Sequence, residues 1–114
     1  MAEWAKISVG LFRDEAVASL TDHQVVAYLR LVLWAQEKET DGHVTPKGLR
    51  AAGVTTRQVA PLVAEGLLAV NGNGWNITGF LKHQRSREQL EQEREANRRR
   101  AERARESRRN REEQ

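Results

Sequence analysis

The strongest constraint on the fold is a change in composition near Arg85. Residues 86–114 contain ten Arg and eight Glu, no Lys, Gly or Pro, and Leu90 as the only large apolar residue. Residues 1–85 contain every aromatic residue and nearly balance nine basic against eight acidic side chains. A segment as polar as 86–114 cannot bury enough apolar surface to offset its ordering entropy. We therefore expect one small domain, residues 1–85, followed by an Arg/Glu-rich solvated helix or tail, residues 86–114.

Several classes of protein are disfavoured by composition. The chain contains no cysteine, which excludes disulfides, thiolate catalysis and cysteine-ligated zinc. Its histidines, His23, His43 and His83, lie far apart in sequence, so a histidine metal site has little support. No phosphate-binding glycine loop, nucleophile elbow or His-Glu-x-x-His motif is present. We expect neither an enzyme nor a bound cofactor or metal.

No segment has the pattern of a membrane or secretion signal. The longest apolar run, residues 25–35, is short for a bilayer span and is interrupted by Arg30. The first six residues lack the charged and apolar regions of a signal peptide. We expect a soluble, intracellular protein that does not contact a membrane.

Capping signals divide the first part of the domain. Alternation of apolar residues over 7–11 predicts a short strand or extended arm, and residues 13–20 are compatible with one or two helical turns. Thr21 and Gln24 match a capping box, which opens a helix over residues 22–39. The apolar residues of this helix cover most of its circumference, as expected for a helix in the middle of a domain.

The next segment has a helix-turn-helix pattern. Thr45-Pro46 predicts a short helix over 46–52, and Gly53 suits its C-terminal end. Thr55 or Thr56 caps a second helix, which should end at residue 65, and the turn between the two helices is tight. Pro61 leaves two alternatives: either this helix is kinked, or it begins near residue 59 and residues 55–58 form a loop.

A β-hairpin follows directly. Residues 67–70 and 75–78 read as strands, and Asn71-Gly-Asn-Gly74 between them is a strong hairpin signal. With a strand stub at residues 43–44, the order is long helix, strand, helix, turn, helix, hairpin. The predicted fold is mainly α with a small β-hairpin: a winged helix-turn-helix. A capping box at residues 86–89 then starts a long charged C-terminal helix through much of 87–113.

Short motifs along almost the whole chain resemble a group of actinobacterial and actinophage winged-helix proteins. This group is similar to the N-terminal domains of phage replication-initiation proteins of the replisome-organiser, DnaD-like type. The resemblance implies double-stranded DNA binding and a phage or prophage origin, and hence a place in the bacterial cytoplasm or nucleoid. The matching residues are Trp4-Ala-Lys6, Leu20-Thr-Asp22, Thr40-Asp-Gly-His-Val-Thr45, Leu62-Val-Ala-Glu-Gly-Leu67, Gly74-Trp-Asn-Ile77, Phe80-Leu-Lys-His-Gln84 and Ser86-Arg-Glu-Gln89.

The candidates for reading DNA bases lie at the start of the second helix of the pair. In a winged helix-turn-helix these residues meet base edges in the major groove. Arginine can donate two hydrogen bonds to guanine, and glutamine can pair with adenine. A helix cap followed by solvated side chains is an equally good interpretation of the same residues. The candidates are Thr55, Thr56, Arg57 and Gln58.

Candidates for phosphate contact come from two places. Lys47 and Arg50 lie on the helix that crosses the DNA backbone in this architecture, although solvated surface charge is an alternative. The C-terminal segment has a net charge of −3 over residues 88–96 and +6 over 97–111, and so dense an arginine run suits phosphate binding. A merely solubilising charged helix is the alternative. The arginines concerned are Arg98, Arg99, Arg100, Arg103, Arg105, Arg108 and Arg109.

Two further features carry weaker predictions. The wing tip offers only the amides of Asn71 and Asn73 and backbone N–H groups, and turn geometry alone explains its sequence. Trp4, Trp34 and Trp75 could stack on unpaired bases, but core packing is favoured.

The sequence thus predicts a duplex DNA-binding protein that acts in replication initiation or transcriptional regulation. Its other expected partners are a second copy of itself, as a homodimer, or a replication or transcription protein. The rival interpretation is a protein-interaction module, a scaffold or adaptor that uses the same fold and charged helix without binding duplex DNA.

Overall fold

The computed structural model describes residues 3–113. Residues 1–2 of the predicted domain and residue 114 of the predicted C-terminal segment lie outside the described residues. The protein is mainly helical, at 62% of the described residues, with a small three-stranded antiparallel sheet and a long C-terminal helix. The elements are a 3₁₀ helix (Leu11–Arg13), α1 (Glu15–Ala18), α2 (Asp22–Glu37), β1 (His43–Val44), α3 (Pro46–Ala51), α4 (Thr56–Ala64), β2 (Leu68–Asn71), β3 (Gly74–Ile77), α5 (Phe80–His83) and α6 (Arg87–Glu113).

Side-chain caps fix where the longer helices begin. At α2, α4 and α6 a glutamine lies three residues after the capping residue. The hydroxyl of the capping residue accepts a hydrogen bond from the glutamine's backbone amide, and the glutamine side chain accepts one from the backbone amide of the capping residue. Two of the four unpaired amides of each helix are thereby satisfied. The capping boxes predicted at α2 and α6 are confirmed, and α4 has one as well; the pairs are Thr21–Gln24, Thr55–Gln58 and Ser86–Gln89.

Helix α4 is continuous from Thr56 to Ala64 and contains Pro61 within it. The alternative in which residues 55–58 form a loop is therefore wrong. Pro61 supplies no amide to the carbonyl of Arg57, four residues earlier, so this helix has one hydrogen bond fewer than a regular one.

The three strands form a sheet in the order β1-β3-β2, with both neighbouring pairs antiparallel. The hairpin between β2 and β3 pairs Asn71 with Gly74, which leaves Gly72 and Asn73 as its two turn residues. Gly72 has a φ of 60°, as the first turn residue of a type II′ hairpin requires. The predicted hairpin and strand stub are confirmed, and β1 adds the third strand by pairing His43 with Asn76.

One hydrophobic core joins α2, α3, α4, α5 and the sheet. Helix α2 contributes one face to this core, but its other face is open, because Val26 is 47% and Leu33 is 53% exposed. The apolar residues of α2 lie around most of its circumference as predicted, and its expected place in the middle of the domain is correct except along the strip that contains Val26 and Leu33. The core residues are Ala27, Leu31, Val32, Ala35, Val44, Leu49, Val54, Val59, Leu62, Leu68, Ile77 and Phe80.

Residues 3–10 form an arm without a strand, so the short-strand alternative for residues 7–11 is wrong. Its anchor is Gln84, whose buried side chain accepts a hydrogen bond from the Lys6 amide at 2.7 Å and donates one to the Lys6 carbonyl at 2.5 Å. Trp4 is 53% exposed and stacks on the Arg85 guanidinium at 4.0 Å, so the expected core packing is wrong for this tryptophan. Trp34 and Trp75 do pack against the core.

Helix α6 extends away from this core. Its 27 residues correspond to about 40 Å at 1.5 Å per residue, and the whole protein is 67 Å long. Leu90 in its first turn is buried at 4% exposure, whereas every described residue from Asn97 onward is exposed.

Candidate nucleic-acid interface

The turn between α3 and α4 is anchored from the inside. Gly53 has a φ of 79°, a conformation that suits glycine at the end of a helix. The next amide, of Val54, donates to the carbonyl of Leu49 at 3.1 Å, and the Val54 side chain is buried in the core. Because the Val54 side chain and amide fix this turn to the core and to α3, the first residues of α4 lie at the surface.

The four predicted base-reading residues divide into two pairs. Thr55 and Gln58 bond to each other as the cap of α4, with 2.9 Å between the Thr55 amide and Oε1 of Gln58. Thr56 and Arg57 are exposed, and neither side chain makes a hydrogen bond or ion pair with any other residue between 3 and 113. Thr56 and Arg57 are therefore the two side chains that are free to meet a ligand.

Positive charge is unopposed along this part of the chain. Glu65 is the only acidic residue between positions 42 and 87. Lys47 and Arg50 on α3 are exposed, and within the described chain no carboxylate lies within ion-pair distance of Lys47, Arg50 or Arg57. The basic side chains of α3 and α4 are thus available to bind an anionic partner, and we call Lys47, Arg50, Thr56 and Arg57 the basic face.

The hairpin packs against the start of α3. A Cβ placed on Gly74 would overlap the carbonyl oxygen of Val44 and lie 3.3 Å from the Cα of Thr45. Gly74 therefore permits β3 to approach the β1–α3 junction. The tip residues Asn71 and Asn73 are exposed beside it, with no charged side chain in the turn.

The junction of α6 with the domain depends on an acidic loop, residues 39–42. Glu39 and Asp41 have φ values of 57° and 56°, in the left-handed region, which costs most side chains about 1 to 2 kcal/mol and which Asp adopts more readily than Glu. The carboxylate of Glu39 accepts two hydrogen bonds from Arg94, and Oδ1 of Asp41 accepts one from the Arg87 amide at 2.7 Å. Contacts with α6 thus accompany both unusual backbone conformations.

The Glu39–Arg94 pair carries a clear electrostatic signature. The hydrogen bond from Arg94 holds the pKa of the Glu39 carboxyl below its usual value, and the same bond raises the pKa of Arg94. A second ion pair, Arg85 to Glu93 at 2.5 Å, lies on the same part of α6. Helix α6 is thus attached to the acidic loop by the Arg94 side chain and the Arg87 amide, and to Arg85 by the Glu93 carboxylate.

Replacing Glu39 with glutamine is expected to lower the melting temperature by a few degrees at pH 7 and to have a smaller effect at pH 3. The pKa of Glu39 is lower in the folded state than its unfolded value of about 4.3, so its stabilising effect is present above that pH. The effect is lost as the pH falls through the folded pKa.

Thermal unfolding of wild type and E39Q at both pH values measures this difference. E37Q is the matched control, because Glu37 is exposed and its nearest cation, Lys38, lies 3.7 Å away. An E39Q variant as stable as wild type at pH 7 would contradict the assignment.

The distal half of α6 presents its arginines to solvent. Arg98 and Arg99 pair with Glu95, which lies three and four residues before them on the helix. The other five predicted phosphate-contact arginines of α6 form no ion pair with any residue from 3 to 113. Those five are Arg100, Arg103, Arg105, Arg108 and Arg109.

A cavity of about 310 Å³ lies elsewhere, between the N-terminal arm, α2 and the base of the hairpin. Val32, Ile77 and Phe80 form part of its apolar wall, and Tyr28 and Asp14 are among its polar residues. Burial, and secondly the charge of Asp14, raise the pKa of the Tyr28 hydroxyl. None of the predicted DNA-contacting residues lines this cavity.

Within residues 3–113, none of the helices combines the length and the apolar character needed to cross a membrane. Comparison of the chain with models of known protein families, with curated proteins and with solved structures finds no match. The function is therefore inferred from the residues and geometry of the basic face and α6.

Proposed function

We propose that this chain is a double-stranded DNA-binding protein of the winged helix-turn-helix class. In this proposal α4 is the recognition helix, the β2–β3 hairpin is the wing, and α6 adds contacts to phosphates. The resemblance to phage replication-initiation domains suggests a role in phage or prophage replication initiation or in transcriptional regulation.

The observation that carries the proposal is the unopposed charge of the basic face. Arg57 lies at the second position of α4, where a recognition helix meets base edges. Thr56 beside it can donate or accept a hydrogen bond. In the proposed binding mode, Lys47 and Arg50 on the preceding helix contact the DNA backbone, as residues on the first helix of such a pair do.

The capping box narrows the set of base-reading residues. Thr55 and Gln58 already bond to one another, so using either to read a base would unmake a hydrogen bond at the start of α4. We assign direct readout to Thr56 and Arg57, and a positioning role to Thr55 and Gln58.

A titration of the full chain against a labelled 30-base-pair duplex tests the proposal. If six phosphates are neutralised, affinity is expected to fall by on the order of 10³ between 50 and 200 mM salt, because bound counterions are released from the DNA. Fluorescence anisotropy measures both affinities, and a single strand of the same sequence is the control. No duplex binding at 50 mM salt, or binding that does not change with salt, would contradict the proposal.

A second candidate, the protein-interaction module, is favoured by exposed apolar residues in the N-terminal arm. Trp4, Ile7, Val9 and Phe12 are all exposed within nine residues, and such clusters are typical of interfaces between proteins. This candidate predicts no duplex binding near physiological salt. It also predicts that the chain forms a homodimer or binds another protein. Light scattering detects the homodimer as a doubled molar mass.

A further inference from the structure

The basic face has a neighbour on α2. Arg30 is exposed, and its guanidinium reaches the turn between α3 and α4: a Cβ placed on Gly53 would lie 2.8 Å from Nη1 of Arg30. Gly53 is three residues before Thr56, the first residue of α4. The guanidinium of Arg30 is therefore held beside the connection that leads into the proposed recognition helix.

Arg30 has no carboxylate to neutralise it. It is the only Lys or Arg on α2, and the two acidic residues of that helix, Asp22 and Glu37, are eight and seven residues away. At 1.5 Å per residue those separations are about 12 and 10 Å along the axis, beyond ion-pair distance. No residue in the described range 3–113 forms an ion pair or a hydrogen bond with its side chain.

A helix C-terminus provides only part of an explanation. The last carbonyls of α3 favour a nearby cation, but α3 is a helix of six residues and its final turn already contains Arg50. Both guanidinium groups are exposed, and no carboxylate of residues 3–113 pairs with either of them. Arg30 and Arg50 are thus both available to bind an anion.

We infer that Arg30 is a phosphate-contacting residue, which binds the DNA backbone at the edge of the groove that α4 enters. This inference rests on the proposed function and adds to it a contact from a third helix. The planar guanidinium can bind two phosphate oxygens at once, whereas a lysine would provide a single point charge. Because backbone phosphates are the same for every sequence, Arg30 contributes affinity without base preference.

The test compares variants of the full chain on two duplexes of unrelated sequence, by anisotropy between 50 and 200 mM salt. R30Q is expected to bind both duplexes about eightfold more weakly at 0.1 M salt. This is the affinity that one phosphate contact contributes at that salt concentration through the release of bound counterions. Its log–log salt slope should be smaller than that of wild type by about 0.9. R30K should keep the wild-type slope and lose only part of the affinity.

R13Q is the matched control, because Arg13 is an exposed arginine on the 3₁₀ helix near the arm, and it should bind as wild type does. If R30Q lowers the melting temperature, R30M replaces it, since methionine keeps the aliphatic part of the side chain.

The possible failures are distinguishable. Wild-type affinity and slope in R30Q, while the wild-type protein still binds duplex, would overturn the role of Arg30 and leave the proposed function intact. A loss confined to one of the two duplexes would indicate base reading and would also overturn it. Absence of wild-type binding to either duplex would overturn both.

Discussion

Replacing seven arginines of α6 with glutamine is expected to weaken duplex binding by on the order of 10² to 10³ at 0.1 M salt. About three of them can face one DNA backbone at a time, and each neutralised phosphate contributes about 0.9 to the salt slope. The exposed arginine half of α6 should therefore account for a large share of the total affinity. The residues to replace are Arg98, Arg99, Arg100, Arg103, Arg105, Arg108 and Arg109.

The control for this variant replaces the same seven arginines with lysine, which keeps the charge and loses the planar guanidinium group. It should keep most of the salt slope. Leu90 and Arg94 are left unchanged in both variants, so the junction of α6 with the domain is preserved. Wild-type affinity in the glutamine variant would show that α6 does not contact DNA, and would leave the basic face and Arg30 as the proposed contacts.

Replacing Gly74 with alanine is expected to destabilise the protein by about 3 kcal/mol, at the upper end of the range for overpacking. The added methyl group would overlap the backbone carbonyl of Val44, which cannot rotate away as a side chain could. Relief would require β3 to separate from β1, at the position where the sheet meets α3. Urea denaturation followed by circular dichroism measures the change.

Gly72 provides the comparison for Gly74 within the same hairpin. It has open space around it and a φ of 60°, so alanine there meets only backbone strain, about 1 to 2 kcal/mol. G74A should therefore be clearly less stable than G72A. The reverse order would show that turn geometry, and not the approach of β3 to Val44, limits this part of the fold.

Local chemistry explains why much of the fold could be predicted from the sequence. Caps such as Thr21–Gln24 act between residues three positions apart, and Asn-Gly turns need a particular backbone conformation at one or two residues. Both are visible in sequence without knowledge of the tertiary structure. Pro61 was ambiguous because the sequence does not show whether its cost, about 3 kcal/mol in a helix interior, is offset by the cap at Thr55 and the packing of α4.

Contacts between distant residues could not be predicted in this way. Asp41 binds the Arg87 amide across 46 positions, and Gln84 binds Lys6 across 78. Asp41 in an Asp-Gly pair reads as a turn residue, and nothing near it in sequence indicates a second helix. The proximity of Arg30 to Gly53 has the same origin, since it depends on how α2 crosses the α3–α4 turn.

The base-reading candidates were predicted from their residue types, and the hydrogen bonds of the structure separate them into two pairs. Thr55, Thr56, Arg57 and Gln58 look equivalent as polar residues at a helix start. The cap uses the first and last of them and leaves the middle two exposed. A spacing of three between threonine and glutamine is the signal that could have separated them, because it is the spacing of a capping box.

The two chain ends are attached to the domain by different chemistry, with a consequence for ionic strength. Gln84 holds Lys6 through a neutral amide that mimics a neighbouring strand, and added electrolyte leaves such bonds almost unaffected. Glu39 holds Arg94 through opposite charges on a partly open surface, which dissolved ions shield. Concentrated salt should thus weaken the Glu39–Arg94 attachment of α6 more than the Gln84–Lys6 attachment of the arm, while the buried side chain of Leu90 still holds the first turns of α6.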